Sequence, residues 1–163
     1  MYSTKMVTVL VLGLMAASAM TLEAQNNASI NVTAAVQQPI TVTAASPLDF
    51  GTVFPGVPKG VALVSGSAGR FTVTGQASAP VSLSFVVPAN LTFGVGNNLP
   101  ITFTGSWNGI NDPAGAGVGF AGVTAATFSG TGNLYVFLGG TVTPSVSQAA
   151  GAYVGTVQMT VTY

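Results

Sequence analysis

An all-β fold, an antiparallel sandwich of short strands, is what the sequence predicts, and three observations predict it. Beyond the first two dozen residues, apolar side chains alternate with Thr or Ser along nearly the whole chain, the period-two pattern of half-buried strands. These runs recur about every ten residues in most places and are bounded by Gly, Pro, Asn or Ser, a spacing that suits antiparallel strands joined by short turns. Apolar residues at helical spacing are missing from the same region, so strands alternating with helices are not expected.

The alternation places the elements in order. Residues 28–36 (ASINVTAAV) put Ile30, Val32, Ala34 and Val36 on one face and Asn31, Thr33 and Ala35 on the other. Pro39 interrupts the run, because proline donates no ladder hydrogen bond, so residues 25–38 can act as an arm that precedes the domain or as an ordinary first strand. Residues 39–45 (PITVTAA), 69–75 (GRFTVTG), 80–88 (PVSLSFVVP) and 100–107 (PITFTGSW) are the next strands. Residues 108–122 (NGINDPAGAGVGFAG) are too rich in Gly and Asn for a regular strand and read as a surface loop with a short strand after it. Residues 133–142 (NLYVFLGGTV) and 151–163 (GAYVGTVQMTVTY) complete the set. The leading architecture is an immunoglobulin-like antiparallel β-sandwich in a single domain, residues 39–163.

Lys5 followed by the apolar run MVTVLVLGLMAASAM gives residues 1–24 the form of a secretory signal peptide. Cleavage after Ala24 leaves a polar, Asn-rich mature start and is preferred to cleavage after Ala19. The competing reading, a retained anchor helix, has an apolar run short of the roughly 20 residues a membrane span needs. The expected location is therefore the cell surface or the medium, after transit through the periplasm.

Charge is scarce: of 163 residues only Lys5, Glu23, Asp49, Lys59, Arg70 and Asp112 are charged, and the chain has neither histidine nor cysteine. Disulfides are excluded, as are His/Cys zinc sites and nucleophile systems that rely on histidine. General acid–base work would fall to isolated carboxylates. The expectation is a protein that is not an enzyme and uses no cofactor or metal. A near-neutral surface favours association, and nucleic acid, which calls for a basic face, is not an expected partner.

Four local features were candidates for chemistry. Gly115, Gly117, Gly119 and Gly122 imitate a phosphate cradle, but no Lys follows and no strand-to-helix setting surrounds them. Asp112 beside Asn108 and Asn111 offers one carboxylate to a calcium ion, too few for a site. Asp49 in LDFG reads as a turn residue that satisfies nearby backbone donors, and Arg70 as a partner for Asp49 or a cover for apolar surface. Trp107 beside the loop reads as core edge, with a sugar-stacking platform as the alternative.

The stretch PITVTAASPLDFGTVFPG (residues 39–56), with GRFTVTG, NLYVFLGGTV and the closing G-x-Y-x-G-T-x-x-x-T-V-x-Y, resembles a family of secreted bacterial β-domains of unknown function. That family is itself similar to chaperone-usher pilin subunits. The resemblance spans almost the whole chain after the leader, the loop 108–122 excepted. It implies an incomplete immunoglobulin-like sandwich whose missing last strand is supplied first by a periplasmic chaperone and then by the next subunit's N-terminal arm, delivered through an outer-membrane usher. Carried onto this chain, the donor strand is residues 28–36 with Ile30, Val32, Ala34 and Val36 inward. The acceptor groove takes Val157, Met159, Val161 and Tyr163 from the last strand, with Phe50 and Phe71 beneath. The function implied is a structural subunit of an extracellular filament, a homo-oligomer built head to tail.

Two rival readings remain. In one the arm folds back into its own groove, giving a monomeric surface adhesin or glycan-binding module whose loop at Trp107 binds sugar. In the other the alternating C-terminal run ending in Tyr163 belongs to an outer-membrane β-barrel. The barrel fits less well, because it calls for aromatic girdles and a polar interior, and this chain has four Tyr and one Trp.

Overall fold

In the computed structural model, which describes residues 26–163, the chain after Pro39 forms ten strands and, among the described residues, no helix. The expected signal peptide, residues 1–24, and its expected cleavage site lie outside the described residues. The strands are β1 (Thr41–Ser46), β2 (Lys59–Val61), β3 (Gly69–Thr74), β4 (Pro80–Val86), β5 (Asn90–Phe93), β6 (Asn97–Asn108), β7 (Ala116–Gly117), β8 (Val123–Thr127), β9 (Asn133–Val142) and β10 (Gln158–Thr162). All pairings are antiparallel. The larger sheet runs β1-β3-β9-β6-β5, with β2 added to β9 and β7 to β6; the smaller runs β10-β4-β8. Both sheets are open, so the described residues do not close into a barrel.

Alternation decides which side chains meet between the sheets. Val73 of β3 and Leu134, Val136 and Leu138 of β9 face Val81, Leu83 and Phe85 of β4 and Ala126 of β8 in one core cluster, the interdigitated interior of two stacked sheets. A second cluster, of Phe50, Val61, Ala68, Leu99, Ile101 and Val142, fills the end of the domain where β9 finishes. β9 is the central strand of the larger sheet and the most deeply buried, as its near-continuous apolar sequence requires.

The expected strands at 39–45, 69–75, 80–88, 100–107 and 133–142 are present as β1, β3, β4, β6 and β9. Three expectations are corrected. Residues 28–36 are not a strand: residues 26–40 have no regular structure, because alternation prepares a strand but ladder hydrogen bonds need a neighbour. Of residues 151–163 only β10 is strand; the part before it crosses from one sheet to the other. The loop 108–122 is not wholly superficial. Its first half lies outside, but Val118 and Phe120 pack against the core, with Phe120 edge-on to Phe85 at 5.3 Å and 5.8 Å from Phe103. Gly105 makes room for that ring, since a Cβ there would sit 2.8 Å from it. The short strands β2, β5 and β7 are additions that the sequence pattern did not reveal.

Candidate functional site

Phe120 packs between β4 and β6, against Phe85, Phe103 and Gly105. β1 pairs only with β3, and β10 only with β4, so among the described residues each presents a free backbone edge. A groove of about 800 Å³ opens between the end of β1, from Ala44 onward, and residues 148–157, which lead into β10. Its floor is apolar: Phe71, Leu91, Ile101, Phe103 and Leu138. One wall is the chain from Ala44 to Phe54, the other residues 148–157.

Beyond the groove, at the upper end of the domain, Tyr163 joins the end of β10 to the residues before β1. Its ring packs 6.3 Å from Phe128, and its hydroxyl donates to the Gln38 carbonyl while accepting the Gln76 N–H at 2.8 Å. Gly75 lies beneath both rings, and a Cβ there would come within 2.6 Å of Phe128.

The lower wall explains the G-x-Y-x-G signature. Residues 151–157 form a strap laid across β5, tied by a two-bond bridge between Thr92 and Val154 at 2.9 and 3.0 Å. A Cβ on Gly151 would collide with the Phe93 ring, and one on Gly155 would lie 2.7 Å from Leu91. Both glycines therefore allow close approach of backbone to side chain. Between them Tyr153 turns inward against Phe93, its ring 5.8 Å away. Its hydroxyl accepts from Gln148 Nε2 at 2.6 Å and donates to the Ala149 carbonyl at 2.9 Å.

The expected groove residues divide into three groups. Val157, Phe50 and Phe71 line the groove. Met159 and Val161, alternate residues of β10, turn inward against the main core, next to Phe85 and Leu83 in the register of β10 on β4. Tyr163 lies outside the groove, at the upper end of the domain. Leu48, Phe54 and Leu91 also line the groove and were missed; the LDFG run holds Leu48 two residues before Phe50, so period-two reasoning could have found it. On the arm, Ile30, Val32 and Val36 are 85%, 87% and 96% exposed, and Ala34 is exposed as well.

The other candidates have structural roles. Asp49 Oδ1 accepts the Gly51 N–H at 2.7 Å, where Gly51 takes φ 58°. Arg70 donates to Asn111 Oδ1 at 3.0 Å rather than to Asp49. Asp112 Oδ1 accepts the Ala114 N–H at 2.8 Å, and Asn108 Nδ2 donates to the Asp112 and Ala114 carbonyls; these oxygens are engaged within the loop. Among the described residues no group of three acidic side chains stands together. Gly115 lies directly against the Trp107 backbone, which accounts for that glycine, and Trp107 packs against the core rather than forming an open platform.

An apolar trough beside the free edge of β1 suits an extended segment that brings apolar side chains on one face and a backbone able to pair. The chain belongs to the family described as Domain of unknown function (DUF4402), whose model matches residues 40–163. No curated protein matches the chain.

Proposed function

We propose that the protein is a structural subunit of an extracellular filament, polymerised when the arm of one copy enters the β1–β10 groove of the next. The observation that carries this reading is a complementary pair within one chain. An apolar groove lies between β1, which has a free edge, and the segment leading into β10, which has another, and a strand-patterned segment, residues 28–36, has its apolar face exposed. In this reading the domain is an incomplete immunoglobulin-like sandwich, with the donor lying between β1 and β10. The resemblance of its sequence motifs to a family similar to chaperone-usher pilin subunits implies, on this reading, a periplasmic chaperone that occupies the groove first, an outer-membrane usher, and a final place on the cell surface. The role asks for no catalysis and no cofactor, in keeping with a chain that has no His or Cys.

Physical chemistry supports the pairing. Burial of Ile30, Val32 and Val36 contributes on the order of 5 to 9 kcal/mol as an upper bound, at roughly 1.5 to 3 kcal/mol per side chain. Each ladder hydrogen bond adds a net ~0.5 to 1.5 kcal/mol. An arm that enters another copy makes a heterologous contact, which propagates instead of closing, and near-neutral subunits repel little along a fibre.

The test is deletion of residues 25–36, with electron microscopy of material sheared from producing cells and mass spectrometry of the chain. Filaments from the parent and none from the deletion are expected. Filaments from the deletion would rule out the arm as donor, and only soluble monomer from the parent would transfer the groove to the arm of the same copy.

A further inference from the structure

The two ends of the domain are chemically different. At the upper end, where β3 finishes and β9 begins, lie the turn 75–79, the loop 129–132 and Tyr163. Gln38 is fastened here: its carbonyl accepts from Tyr163 and its N–H donates to Gln76 Oε1 at 3.4 Å. The arm therefore departs from this end. At the lower end, the loops 47–57 and 143–148 meet through a Gly56 N–H to Ser145 carbonyl bond of 2.9 Å. Val146 sits against Gly56, whose φ of 73° and 3.2 Å clearance from Val146 Cγ1 disfavour a side chain. Phe54, Val57 and Val146 are 66%, 56% and 88% exposed at this end. Phe54 also lines the groove, so the patch continues the groove out of its lower mouth. The two charged residues nearby are held by the loop itself, Asp49 on the Gly51 N–H and Lys59 on the Thr52 carbonyl at 2.9 Å.

We propose that the patch of Phe54, Val57 and Val146 is a second subunit contact, covered by the arm-bearing end of the neighbouring copy. This rests on the filament reading above. The reason is tether length. Val36, the last apolar residue of the arm, stands two positions before the fastened Gln38, and those two steps reach at most about 7 Å. When Val36 is seated in a groove, the upper end of its own domain must lie against the mouth of that groove. The groove is lined by residues of the lower end, from 44 to 55 and from 148 to 157, and by none of Gln38, Gln76 and Tyr163, and at Phe54 it runs into the apolar patch. The arm thus enters from below and runs antiparallel to β10, and copies stack upper end to lower end. Patches of this kind on a secreted surface mark contacts, and a weakly charged upper end is a fitting cover.

The absence of cysteine makes the test direct. In the full chain, Ala77→Cys at the upper end combined with Val146→Cys at the lower should give, on mild oxidation, a reducible ladder of disulfide-linked multimers. Either single variant, or Ala77→Cys combined with Val123→Cys on β8, should give none. Independently, Val57→Ser with Val146→Ser should weaken assembly of the full chain roughly tenfold while leaving binding of a peptide of residues 26–36 unchanged, since neither valine lines the groove. Assemblies that need the arm but give no 77–146 ladder, or that are indifferent to the serine pair, overturn the end-to-end contact and leave the filament reading standing. A parent chain that neither assembles nor binds the peptide overturns both.

Discussion

Val32→Asp separates the arm's role from the domain's stability. Val32 is 87% exposed in the structure, so the substitution should leave unfolding of the domain unchanged to within ~0.5 kcal/mol. In the groove the cost is large. The lost burial of the valine is about 1.5 to 3 kcal/mol. The carboxyl must also enter neutral, because an unpaired charge in an apolar trough costs more than protonation. From an ordinary Asp pKa of about 3.9, protonation at pH 7 costs about 4 kcal/mol. Together these predict a loss near 6 kcal/mol, about four orders of magnitude in affinity. The second contribution depends on pH. The bound carboxyl has its pKa raised and the free one does not, so affinity should recover about tenfold for each unit the pH falls between 7 and 5. The assay is fluorescence anisotropy of a labelled peptide of residues 26–36 titrated with the chain lacking that segment, with wild-type and Val32→Asp peptides compared at pH 7, 6 and 5. A Val32→Asp peptide that binds like the parent would refute an inward Val32. A loss that does not change with pH would refute its burial in an apolar groove.

Three further outcomes test the architecture. Leu83→Ala, at a fully buried site between the sheets, should cost about 2 to 5 kcal/mol in denaturant unfolding; a cost below about 1 kcal/mol would mean that the sheets do not pack there. Gly151→Ala should destabilise by about 1 to 3 kcal/mol because its new methyl meets the Phe93 ring, and adding Phe93→Ala should relieve part of that cost; simple additivity would refute the clash. Tyr163→Phe keeps the ring against Phe128 but removes the hydroxyl between Gln76 and Gln38, so amide exchange at Gln76 should accelerate about tenfold for a bond worth about 1 kcal/mol or more, and unchanged exchange would refute that link.

Much of the fold was legible because strand periodicity is a local property. The run NLYVFLGGTV coincides with β9 from end to end, and its continuous apolar character announces a strand buried on both faces. The LDFG turn was legible for a similar reason, since Asp49 reaches a backbone donor only two residues away. The groove was legible in part: Val157, Phe50 and Phe71 line it, whereas Met159 and Val161, expected there, face inward against the main core.

Other features depend on residues far apart in the chain. Phe120 sits in a Gly-rich stretch that looks like an exposed loop, yet it fills a seam because Gly105, fifteen positions earlier in the sequence, leaves a space its ring can occupy. The sequence by itself determined an all-β chain with almost no charge, no cysteine, and an alternating segment ahead of Pro39, because each of these is written in composition or in neighbouring residues. Only the tertiary structure decided that residues 151–157 are a strap instead of a strand, that Tyr163 joins the end of β10 to the residues before β1, and that β1 and β10 are among the edges left free in the described residues. Those outcomes depend on which strands become neighbours and on whether a particular ring reaches a particular gap, and neither is encoded in the period of any one strand.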